Sequence, residues 1–314
     1  MRIVITGGGG CLGANLVAEY LAQGHEVLVI DNFATGNPEA LSARPRLKLV
    51  VGSIADRDLV DEAFNHFAPT QVVHSAASYK DPNDWREDVA TNVDGTINVV
   101  EAARRVGVKR LVYLQTALCY GRPDRIPIPV DHCTRPFTSY GISKTAGEAY
   151  VAISDLSWIS LRLANVTGPR LAIGPIPTFY KRLKAGQQCF CTDAIRDFLD
   201  MSDFLELMHL ALSEEAPTGI FNVSTGEGHT IAEVFCAVMS CLGVSLPEAI
   251  PVVPPNDDDV PNLVLDPSFT NEALGWRAKV GFSDTIARVI RWYDAHGVPA
   301  IHSHLQPLPR NSRN

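Results

Sequence analysis

Short apolar runs alternate with longer amphipathic segments through the first half of the chain. Runs of β-branched and other apolar residues predict strands at Arg2 to Thr6, Glu26 to Asp31, Arg46 to Val51, Gln71 to Ser75, Lys109 to Gln115 and Trp158 to Leu163. Apolar residues spaced three and four apart predict helices over Leu12 to Gln23, Asp56 to His66 and about Val89 to Val106. Strands that alternate with helices, and that are apolar on both faces, are typical of a doubly wound parallel sheet. The pattern therefore predicts an α/β fold.

The character of the sequence changes after about Asn165. Proline and glycine become frequent, as in Gly168-Pro169 and Gly174-Pro175, and the apolar runs become shorter. We predict that residues 1–165, with return segments near 195–224, form the doubly wound domain. Residues 166–194 and 225–303 are predicted to form a smaller C-terminal lobe. Residues 304–314 lack apolar periodicity and are predicted to be a flexible tail.

Local signals predict three features of the second half. The run from Ile220 to Val223 predicts a late strand. Thr230, followed three residues later by Glu233, predicts a helix that starts with a capping box. The segment Pro251 to Pro261 combines prolines with consecutive aspartates, which predicts a surface loop.

Composition and charge narrow the class of protein. The chain has 314 residues, of which 46% are hydrophobic and 20% charged, so a disordered or collagen-like chain is excluded. Its 35 acidic and 27 basic residues give a net charge of -8, which predicts that it does not bind nucleic acid. No run approaches the roughly 18 apolar residues of a membrane span. We therefore predict no membrane association, and the N-terminus lacks the pattern of a signal peptide.

Cysteine usage bears on location and on metal binding. The seven cysteines, an odd number scattered from Cys11 to Cys241, do not suggest a disulfide framework. Such usage is typical of a reducing compartment and predicts a cytoplasmic protein. Cys189 and Cys191 lack a second Cys/His pair at zinc-site spacing, so no metal site is predicted.

A glycine-rich turn between the first predicted strand and helix carries the first chemical signal. Gly7, Gly10 and Gly13 have the spacing G-x-x-G-x-x-G, which permits a tight turn, close approach of a pyrophosphate and close packing of helix on strand. Asp31 ends the next strand, where a carboxylate can bind the ribose hydroxyls of adenosine. A glycine run alone could be a flexible turn. Its position between strand and helix favours a Rossmann dinucleotide site, and Asp31 favours NAD over NADP.

A second signal is the pair Tyr140 and Lys144, which are four residues apart and therefore share one face of a helix. An ammonium group and an oxidised nicotinamide both favour the phenolate of a nearby tyrosine. A surface tyrosine with a lysine one turn later is the alternative. Thr116 ends a predicted strand and could bond a substrate oxygen at the ligand crevice, or it could only cap the strand exit.

The sequence resembles the extended short-chain dehydrogenase/reductases, in particular the NAD-dependent nucleotide-sugar epimerases and dehydratases. Its overall character is similar to that of members from bacterial O-antigen and surface-polysaccharide biosynthesis. Further segments carry the resemblance: His74-Ser75-Ala76-Ala77, Thr91 to Thr96, Arg162 to Arg170, Arg196 to Asp200 and Leu274-Gly275-Trp276. The resemblance covers nearly the whole chain. It implies an NAD-binding Rossmann domain and a smaller, substrate-binding C-terminal lobe.

The resemblance also implies roles for individual residues. Thr116, Tyr140 and Lys144 would be the catalytic residues. The residues that would bind NAD are Gly7, Gly10, Cys11, Leu12, Gly13, Asp31, Asn32, Ser53, Ile54, Ala76, Ala77, Asn92, Tyr140 and Lys144. Thr116, Asn165 and Arg196 would contact the nucleotide-sugar substrate, with the last two at its phosphates. A homodimer is expected through the helices at about Val89 to Val106 and Tyr140 to Ser154, although the apolar stripe Val89, Val93, Ile97, Val100 is equally consistent with burial against the sheet.

Differences from the family pattern indicate which of the family's reactions this chain favours. The 4,6-dehydratases carry an Asp-Glu pair directly after the catalytic Thr, but here Ala117 and Leu118 stand there and cannot transfer a proton. A Glu found in the decarboxylases of the group is also missing. The Arg-x-Gly-Asp loop is replaced by Asn256-Asp257-Asp258-Asp259, and Ser53 replaces an acid that supports adenine recognition. The missing acids favour hydride chemistry without elimination. The changed loop and Ser53 bear instead on how the nucleotide carrier and the adenine are recognised.

The leading hypothesis is NAD-dependent epimerisation at C4 of a nucleotide sugar, a UDP-hexose or derivative, through a 4-keto intermediate. A nucleotide-sugar dehydrogenase, ketoreductase or dehydratase of the same family is the alternative. A non-catalytic NAD-binding protein is a third interpretation, which the retained Tyr140 and Lys144 disfavour.

Overall fold

The computed structural model describes residues 1–41, 44–79, 81–245, 250–254 and 259–300. Within these ranges the strands are β1 Arg2–Thr6, β2 Glu26–Asp31, β3 Leu47–Val51, β4 Gln71–His74, β5 Arg110–Thr116, β6 Trp158–Leu163, β7 Asn165–Thr167, β8 Cys191–Thr192, β9 Ile195–Arg196, β10 Phe198–Asp200, β11 Gly219–Val223, β12 His229–Thr230, β13 Val252–Val253 and β14 Asn262–Leu263. The helices are α1 Cys11–Ala22, α2 Arg57–Phe67, α3 Trp85–Val89, α4 Gly95–Val106, α5 Ser139–Ala152, α6 Pro175–Lys184, α7 Met201–Ala211, α8 Ile231–Leu242, α9 Ser268–Leu274 and α10 Phe282–His296.

Seven strands form one parallel sheet in the order β11-β6-β5-β4-β1-β2-β3. The order reverses between β1 and β4, so the crevice beyond the carboxyl ends of these two strands is where such a sheet binds ligands. The central strands are apolar on both faces, as the continuous Val-Leu-Val-Ile run of β2 requires. The predicted doubly wound α/β fold is confirmed.

A separate hydrophobic core lies on each face of the sheet. On one face α1 and α7 pack against side chains such as Ile3, Val29 and Leu161. On the other face α2 and α4 pack against Val4, Leu28 and other side chains of the alternate register. This arrangement fixes the carboxyl edge of the sheet, where the candidate functional residues lie.

A third core holds the C-terminal lobe together. Buried side chains of α6, α8 and α10 meet there, with Phe179 and Phe235 in edge-to-face contact at 5.1 Å between ring centres. Helix α8 begins with the predicted capping box, in which Thr230 and Glu233 each accept a hydrogen bond from the backbone of the other. The predicted late strand is β11.

Two predictions about local structure need correction. The helix predicted at about Val89 to Val106 is interrupted: α3 ends at Val89, a π-helical turn runs over Ala90–Asp94, and α4 begins at Gly95. The segment Pro251 to Pro261 is not wholly loop, because β13 within it pairs with β8. Residues 255–258, with Asn256, Asp257 and Asp258, lie outside the described residues, as does the predicted tail 304–314.

Among the described residues, no helix is both long and apolar enough to cross a membrane. In the same part of the chain, no cluster of three or more His, Cys, Asp or Glu side chains has the arrangement of a metal site.

Candidate active site

A cavity of about 630 Å³ lies at the carboxyl edge of the sheet. It extends from the end of β2 to the beginning of α5, across the glycine-rich turn and the loop after β4. Most of the residues predicted to hold NAD line it: Gly7, Gly10, Cys11, Leu12, Asp31, Asn32, Ser53, Ile54, Ala76, Ala77 and Tyr140. The structure therefore brings together residues that are widely separated in the sequence.

The glycine-rich turn is built so tightly that at two of its positions a Cβ would collide with backbone atoms. Gly7 has a φ of 69°, in the left-handed region, and a Cβ there would lie 2.7 Å from the backbone of Ala76. A Cβ on Gly13 would lie 2.2 Å from the carbonyl oxygen of Gly7. Gly13 itself does not line the cavity, so its role is to let α1 pack against the turn.

The start of α1 is suited to an anion. Its N-cap, Gly10, has no side chain that could accept hydrogen bonds from the first turn, and the first turn contains no acidic residue. The N-terminal N–H groups and the helix dipole at this end both favour negative charge. Since Gly10, Cys11 and Leu12 line the cavity, a pyrophosphate fits here without any basic side chain.

Asp31 is fixed at the far end of the cavity. Its Oδ2 accepts a hydrogen bond from the Gly9 N–H at 2.7 Å, and its Oδ1 accepts one from the Phe33 N–H at 2.7 Å. Each carboxylate oxygen retains a free lone pair, so the side chain can still accept hydrogen bonds from two ribose hydroxyls. The loop after β4 and the glycine turn, together with Asp31, fit an adenine dinucleotide.

Tyr140 lies in the wall that this cavity shares with a second one, and its ring meets that of Tyr79 edge to face at 6.0 Å. Burial raises the pKa of the Tyr140 phenol well above its ordinary value, and the neighbouring Tyr79 and Asp88 add to the rise. The protein alone therefore keeps this phenol protonated. Positive charge next to the ring would favour the phenolate.

Lys144 lies one helical turn after Tyr140 but is 1% exposed and does not line either cavity. Its ammonium stands over the Tyr113 ring, 3.9 Å from the ring centre. Burial lowers the pKa of Lys144 to about 7, and Glu148 on the next turn opposes this change. Tyr140 and Lys144 stand one turn apart on α5, as predicted, but of the two only Tyr140 lines the cavities.

A second cavity of about 280 Å³ adjoins the first. Thr116 and Asn165 line it, and Tyr140 belongs to both cavities. The Thr116 Oγ1 accepts a hydrogen bond from the Leu118 N–H at 3.2 Å, so this hydroxyl caps the strand exit and also faces the cavity. The functional and structural interpretations of Thr116 are therefore compatible.

The second cavity also receives the N-terminus of α6. Gly174, Pro175 and Ile176 line it, and the N-cap Gly174 again has no side-chain acceptor. Asn165 is held at this edge because its Nδ2 donates to the Asp197 carbonyl at 3.1 Å. An anionic group in this cavity would meet a second helix N-terminus.

Arg196, predicted to contact substrate phosphates, is placed differently from Asn165. Its guanidinium forms an ion pair with Asp259 and donates to the Ile195 carbonyl at 2.8 Å. It does not line either of the two cavities described. Its predicted contact with substrate stays a prediction.

Asn92, in the π-helical turn, does not line the cavity but fixes the loop that does. Its Oδ1 accepts from the Ser78 N–H at 2.8 Å, and its Nδ2 donates to the Ser78 carbonyl at 2.9 Å and to the Ser143 Oγ at 3.0 Å. Asn92 thus links the loop after β4 to α5. The resemblance predicted Asn92 as a residue that binds NAD, whereas its role in joining the loop to α5 was not predicted.

A buried histidine beneath the same loop was not predicted as a functional residue. The Thr96 hydroxyl donates to the Asn92 carbonyl at 2.7 Å, so its oxygen accepts from the Nε2–H of His74 at 2.9 Å. The Nδ1 of His74 then accepts from the Thr6 hydroxyl at 2.7 Å. Burial lowers the pKa of His74 well below its ordinary value, and Lys144 contributes, which keeps this imidazole neutral.

Asp88 is a second buried group that sequence patterns do not reveal. It is 1% exposed, and its Oδ1 has no hydrogen-bond partner among the described residues. Burial raises the pKa of this carboxyl, while the hydroxyls of Ser139 and Ser78 lower it. Asp88 lies close enough to Tyr140 for its charge to oppose the phenolate.

Comparison with known proteins identifies the family. Residues 3–224 match the model of the NAD dependent epimerase/dehydratase family. The enzyme WbmG of Bordetella bronchiseptica, crystallised with NAD and UDP, is 64% identical with a TM-score of 0.94, over 98% of this chain and 99% of that one. WbmH of the same organism, crystallised with NAD⁺, is 41% identical with a TM-score of 0.89, over 95% and 99% of the two chains.

Among curated sequences, the UDP-glucose 4-epimerase of Corynebacterium glutamicum is 32% identical over 307 residues, which cover 88% of this chain and 90% of that protein. The family match spans the sheet and both cavities, and the resemblance inferred from the motifs is confirmed. The chain belongs to the NAD dependent epimerase/dehydratase family.

Proposed function

We propose that the protein catalyses NAD-dependent epimerisation at C4 of a UDP-hexose or a derivative of one, through a 4-keto sugar. The observation that carries this proposal is the position of Tyr140 in the wall shared by the two cavities, with Thr116 in the second. A dinucleotide in the first cavity and a sugar in the second would both reach the same phenol. The similarity to a UDP-glucose 4-epimerase supports this reaction class.

The chain's own residues supply the proton chemistry. Tyr140, as phenolate, takes the proton of the sugar 4-hydroxyl and later returns it to the 4-keto oxygen. The Thr116 hydroxyl bonds the same oxygen and holds it beside the phenol. Lys144 stabilises the phenolate from beneath the cavity wall. NAD, when bound, supplies a reversible hydride acceptor for C4.

Elimination of water is disfavoured by the side chains next to Thr116. Ala117 is 2% exposed and belongs to a small hydrophobic cluster. Leu118 is partly buried and packs against that cluster. Neither can give or take a proton at the sugar C5 or C6. The site therefore supports reversible oxidation and reduction at one carbon, with no net redox change.

One feature of the structure supports a nucleoside diphosphate carrier, and one comparison supports UDP in particular. The helix N-terminus of α6 and Asn165 together suit a diphosphate in the second cavity. WbmG, the 64% identical relative, was crystallised with UDP. In this arrangement residues 1–165, with the return segments near 195–224, bind NAD, and the segments 166–194 and 225–303 bind the nucleotide.

The proposal is tested by incubating the purified protein, without added cofactor, with a panel of UDP-, GDP- and dTDP-hexoses that includes uronic acids and N-acetylated forms. Proton NMR should show a C4 epimer of one UDP-sugar, and acid release should yield NAD from the protein. Conversion that consumes added NAD in stoichiometric amounts would instead indicate a dehydrogenase. Binding of NAD with every sugar left unchanged would indicate a non-catalytic protein.

We further propose a homodimer that pairs through the segments at about Val89 to Val106 and Tyr140 to Ser154, which contain α4 and most of α5. Helix α5 contacts both α3 and α4, and large apolar side chains are exposed around them: Trp85 on α3, Ile142 on α5 and Ile153 directly after α5, the last 77% exposed. Along the predicted stripe, Val89 is exposed, Val93 and Ile97 are half-buried and Val100 is buried, so both interpretations of the stripe apply in part. Light scattering should give twice the chain mass, and Ile153→Glu should yield monomer; a monomeric parent protein would contradict the proposal.

A cytoplasmic location is proposed as well. All seven cysteines are free in the structure. This includes Cys189 and Cys191, which are close in sequence and belong to the same hydrophobic core. Free cysteines are typical of a reducing compartment. Fractionation of the native cells should recover the protein with the cytoplasmic fraction.

A further inference from the structure

A buried ion pair lies between α5 and β6, and neither of its members lines the two cavities. Glu148 stands one helical turn after Lys144 on α5 and is 4% exposed. Its Oε2 accepts from the Arg162 Nη2 at 2.6 Å, and its Oε1 accepts from the Ser160 Oγ at 2.5 Å. Two bonds from one guanidinium, the second from Nε at 3.2 Å, fix the carboxylate in one orientation.

Such a pair is not explained by stability alone. Removing two charges from water costs free energy that their attraction barely repays, and apolar side chains of similar volume usually stabilise a core as well. Nothing in the proposed reaction uses Arg162 or Ser160 directly. A carboxylate in this position instead has an electrostatic effect on its neighbours.

The neighbour whose charge is affected by this carboxylate is Lys144. From β5 it meets the Tyr113 ring, from β4 the neutral His74, and on its own helix it is preceded by Tyr140. None of these groups carries a full negative charge in the resting protein. Among the described groups that act on Lys144, Glu148 is the anion, at the i+4 position where side chains of one helix face meet.

We propose that Glu148 is a positioning residue, which acts through Lys144 by keeping its buried ammonium charged and in place beneath Tyr140. Arg162 and Ser160 hold the carboxylate in the orientation that this role requires. The consequence for turnover rests on the proposed function, whereas the effect on the charge of Lys144 does not.

The physical reason is the balance of two opposed effects on one cation. Burial lowers the pKa of Lys144 to about 7, even with Glu148 present to oppose it. With a pKa near 7, a large fraction of the amine is charged at neutral pH; without the carboxylate, burial would act unopposed and this charged fraction would fall to a small one. A neutral amine would no longer stabilise the Tyr140 phenolate.

The test measures the titration of Lys144 directly, in the free protein. The chain contains only seven lysines, so ¹³Cε-lysine labelling gives few signals, and Lys144→Arg identifies the one of interest. In Glu148→Gln the titration midpoint of Lys144 should fall by about one pH unit or more. A folded Glu148→Gln protein whose midpoint equals that of the parent would overturn the proposal.

The matched control is Arg162→Leu, which breaks the same ion pair but leaves the carboxylate. Its Lys144 midpoint should stay the same or rise, because the negative charge is no longer offset. A purely structural pair would instead give the same result for Arg162→Leu and Glu148→Gln. Should the single Glu148→Gln variant fail to fold, the double variant Glu148→Gln/Arg162→Leu removes both charges and must show a fall in the Lys144 midpoint relative to Arg162→Leu.

Turnover provides an independent second readout. In Glu148→Gln, kcat should fall about tenfold or more near neutral pH, while the KM for the nucleotide sugar stays within about twofold. Glu148→Asp, which keeps the charge, should recover most of the lost kcat. A lowered Lys144 midpoint with unchanged kcat would contradict the role in the reaction, and absence of any turnover in the parent would contradict the proposed function alone.

Discussion

The Lys144 ammonium lies 3.9 Å from the centre of the Tyr113 ring, and the Tyr113 hydroxyl donates to the Lys144 carbonyl at 2.9 Å. One tyrosine of β5 thus contacts both ends of the same lysine. The Gln115 Nε2 donates to that carbonyl as well, at 3.0 Å. These contacts fix the register of α5 on the sheet, and so the position of Tyr140 at the cavity wall.

Replacement of Lys144 by methionine is expected to stabilise the free protein at low pH while abolishing turnover. The pKa of Lys144 is lowered from 10.5 to about 7 on folding, so the folded chain binds fewer protons than the unfolded chain between these values. Stability therefore rises with pH across this window. Because a tenfold change in proton affinity corresponds to roughly 1.4 kcal/mol, Lys144→Met should be more stable than the parent by about 2–4 kcal/mol at pH 6.

Urea unfolding at pH 6 and pH 9 measures this effect, and the difference between variant and parent should shrink at the higher pH. Lys109→Met is the control, since its side chain is 57% exposed and should show no such trend. A Lys144→Met protein less stable than the parent at both pH values would show that the ammonium contributes net stability.

Loss of the Tyr140 hydroxyl is expected to remove proton transfer without affecting cofactor binding. Tyr140→Phe should reduce kcat by about 1000-fold, a typical contribution of a positioned acid-base group. Tyr150→Phe, on the exposed side of the same helix, is the control and should remain within about twofold of the parent. Near-normal conversion by Tyr140→Phe, measured by NMR, would remove Tyr140 from the proposed reaction.

The buried Asp88 carboxyl is expected to set the acid limb of the pH profile. Asp88 raises the pKa of Tyr140, so Asp88→Asn should lower it and favour the phenolate. The pH at which kcat reaches half its maximum on the acid side should then move down by about half a unit to one unit. Asp155→Asn, an exposed change beyond the C-terminal end of α5, should leave the profile in place; an upward movement or none in Asp88→Asn would contradict the assignment.

Two alanine substitutions in the glycine-rich turn are expected to differ sharply. A Cβ on Gly13 would lie 2.2 Å from the Gly7 carbonyl oxygen, whereas one on Gly10 would lie 3.4 Å from it. Gly13→Ala should therefore destabilise the fold by about 2 kcal/mol or more. Gly10→Ala should fold with near-parental stability, although Gly10 lines the cavity. Equal melting temperatures for the two variants would show that the turn can relax.

The sequence predicted the sheet better than the site. The strand boundaries agree within about a residue, because buried strands such as β2 are continuous apolar runs that have few alternatives. The π-helical turn at Asn92 was not predicted, since it depends on hydrogen bonds from Asn92 to Ser78 and Ser143, which are distant in sequence. The spacing of apolar residues alone does not distinguish a π-helical turn, which contains one extra residue, from the α-helix around it.

For the site, the motifs predicted which residues come together in the fold, but not the contacts that each residue makes. The glycine turn and Asp31 line one cavity, as their spacing indicated. The placement of the Lys144 ammonium on Tyr113 could not be predicted, because it depends on the tertiary contact between α5 and β5. The ion pair of Arg196 with Asp259 joins segments 63 residues apart and had no local signal.

The central claim is that one C4 hydride leaves and returns within a single active site. It is tested most directly with an equal mixture of the UDP-hexose substrate deuterated at C4 and the same substrate fully labelled with ¹³C. Mass spectrometry of the epimeric product should find the deuterium only on the unlabelled carbon skeleton, with no accumulation of reduced cofactor. Deuterium on the ¹³C-labelled epimer, or its loss to solvent, would contradict the account.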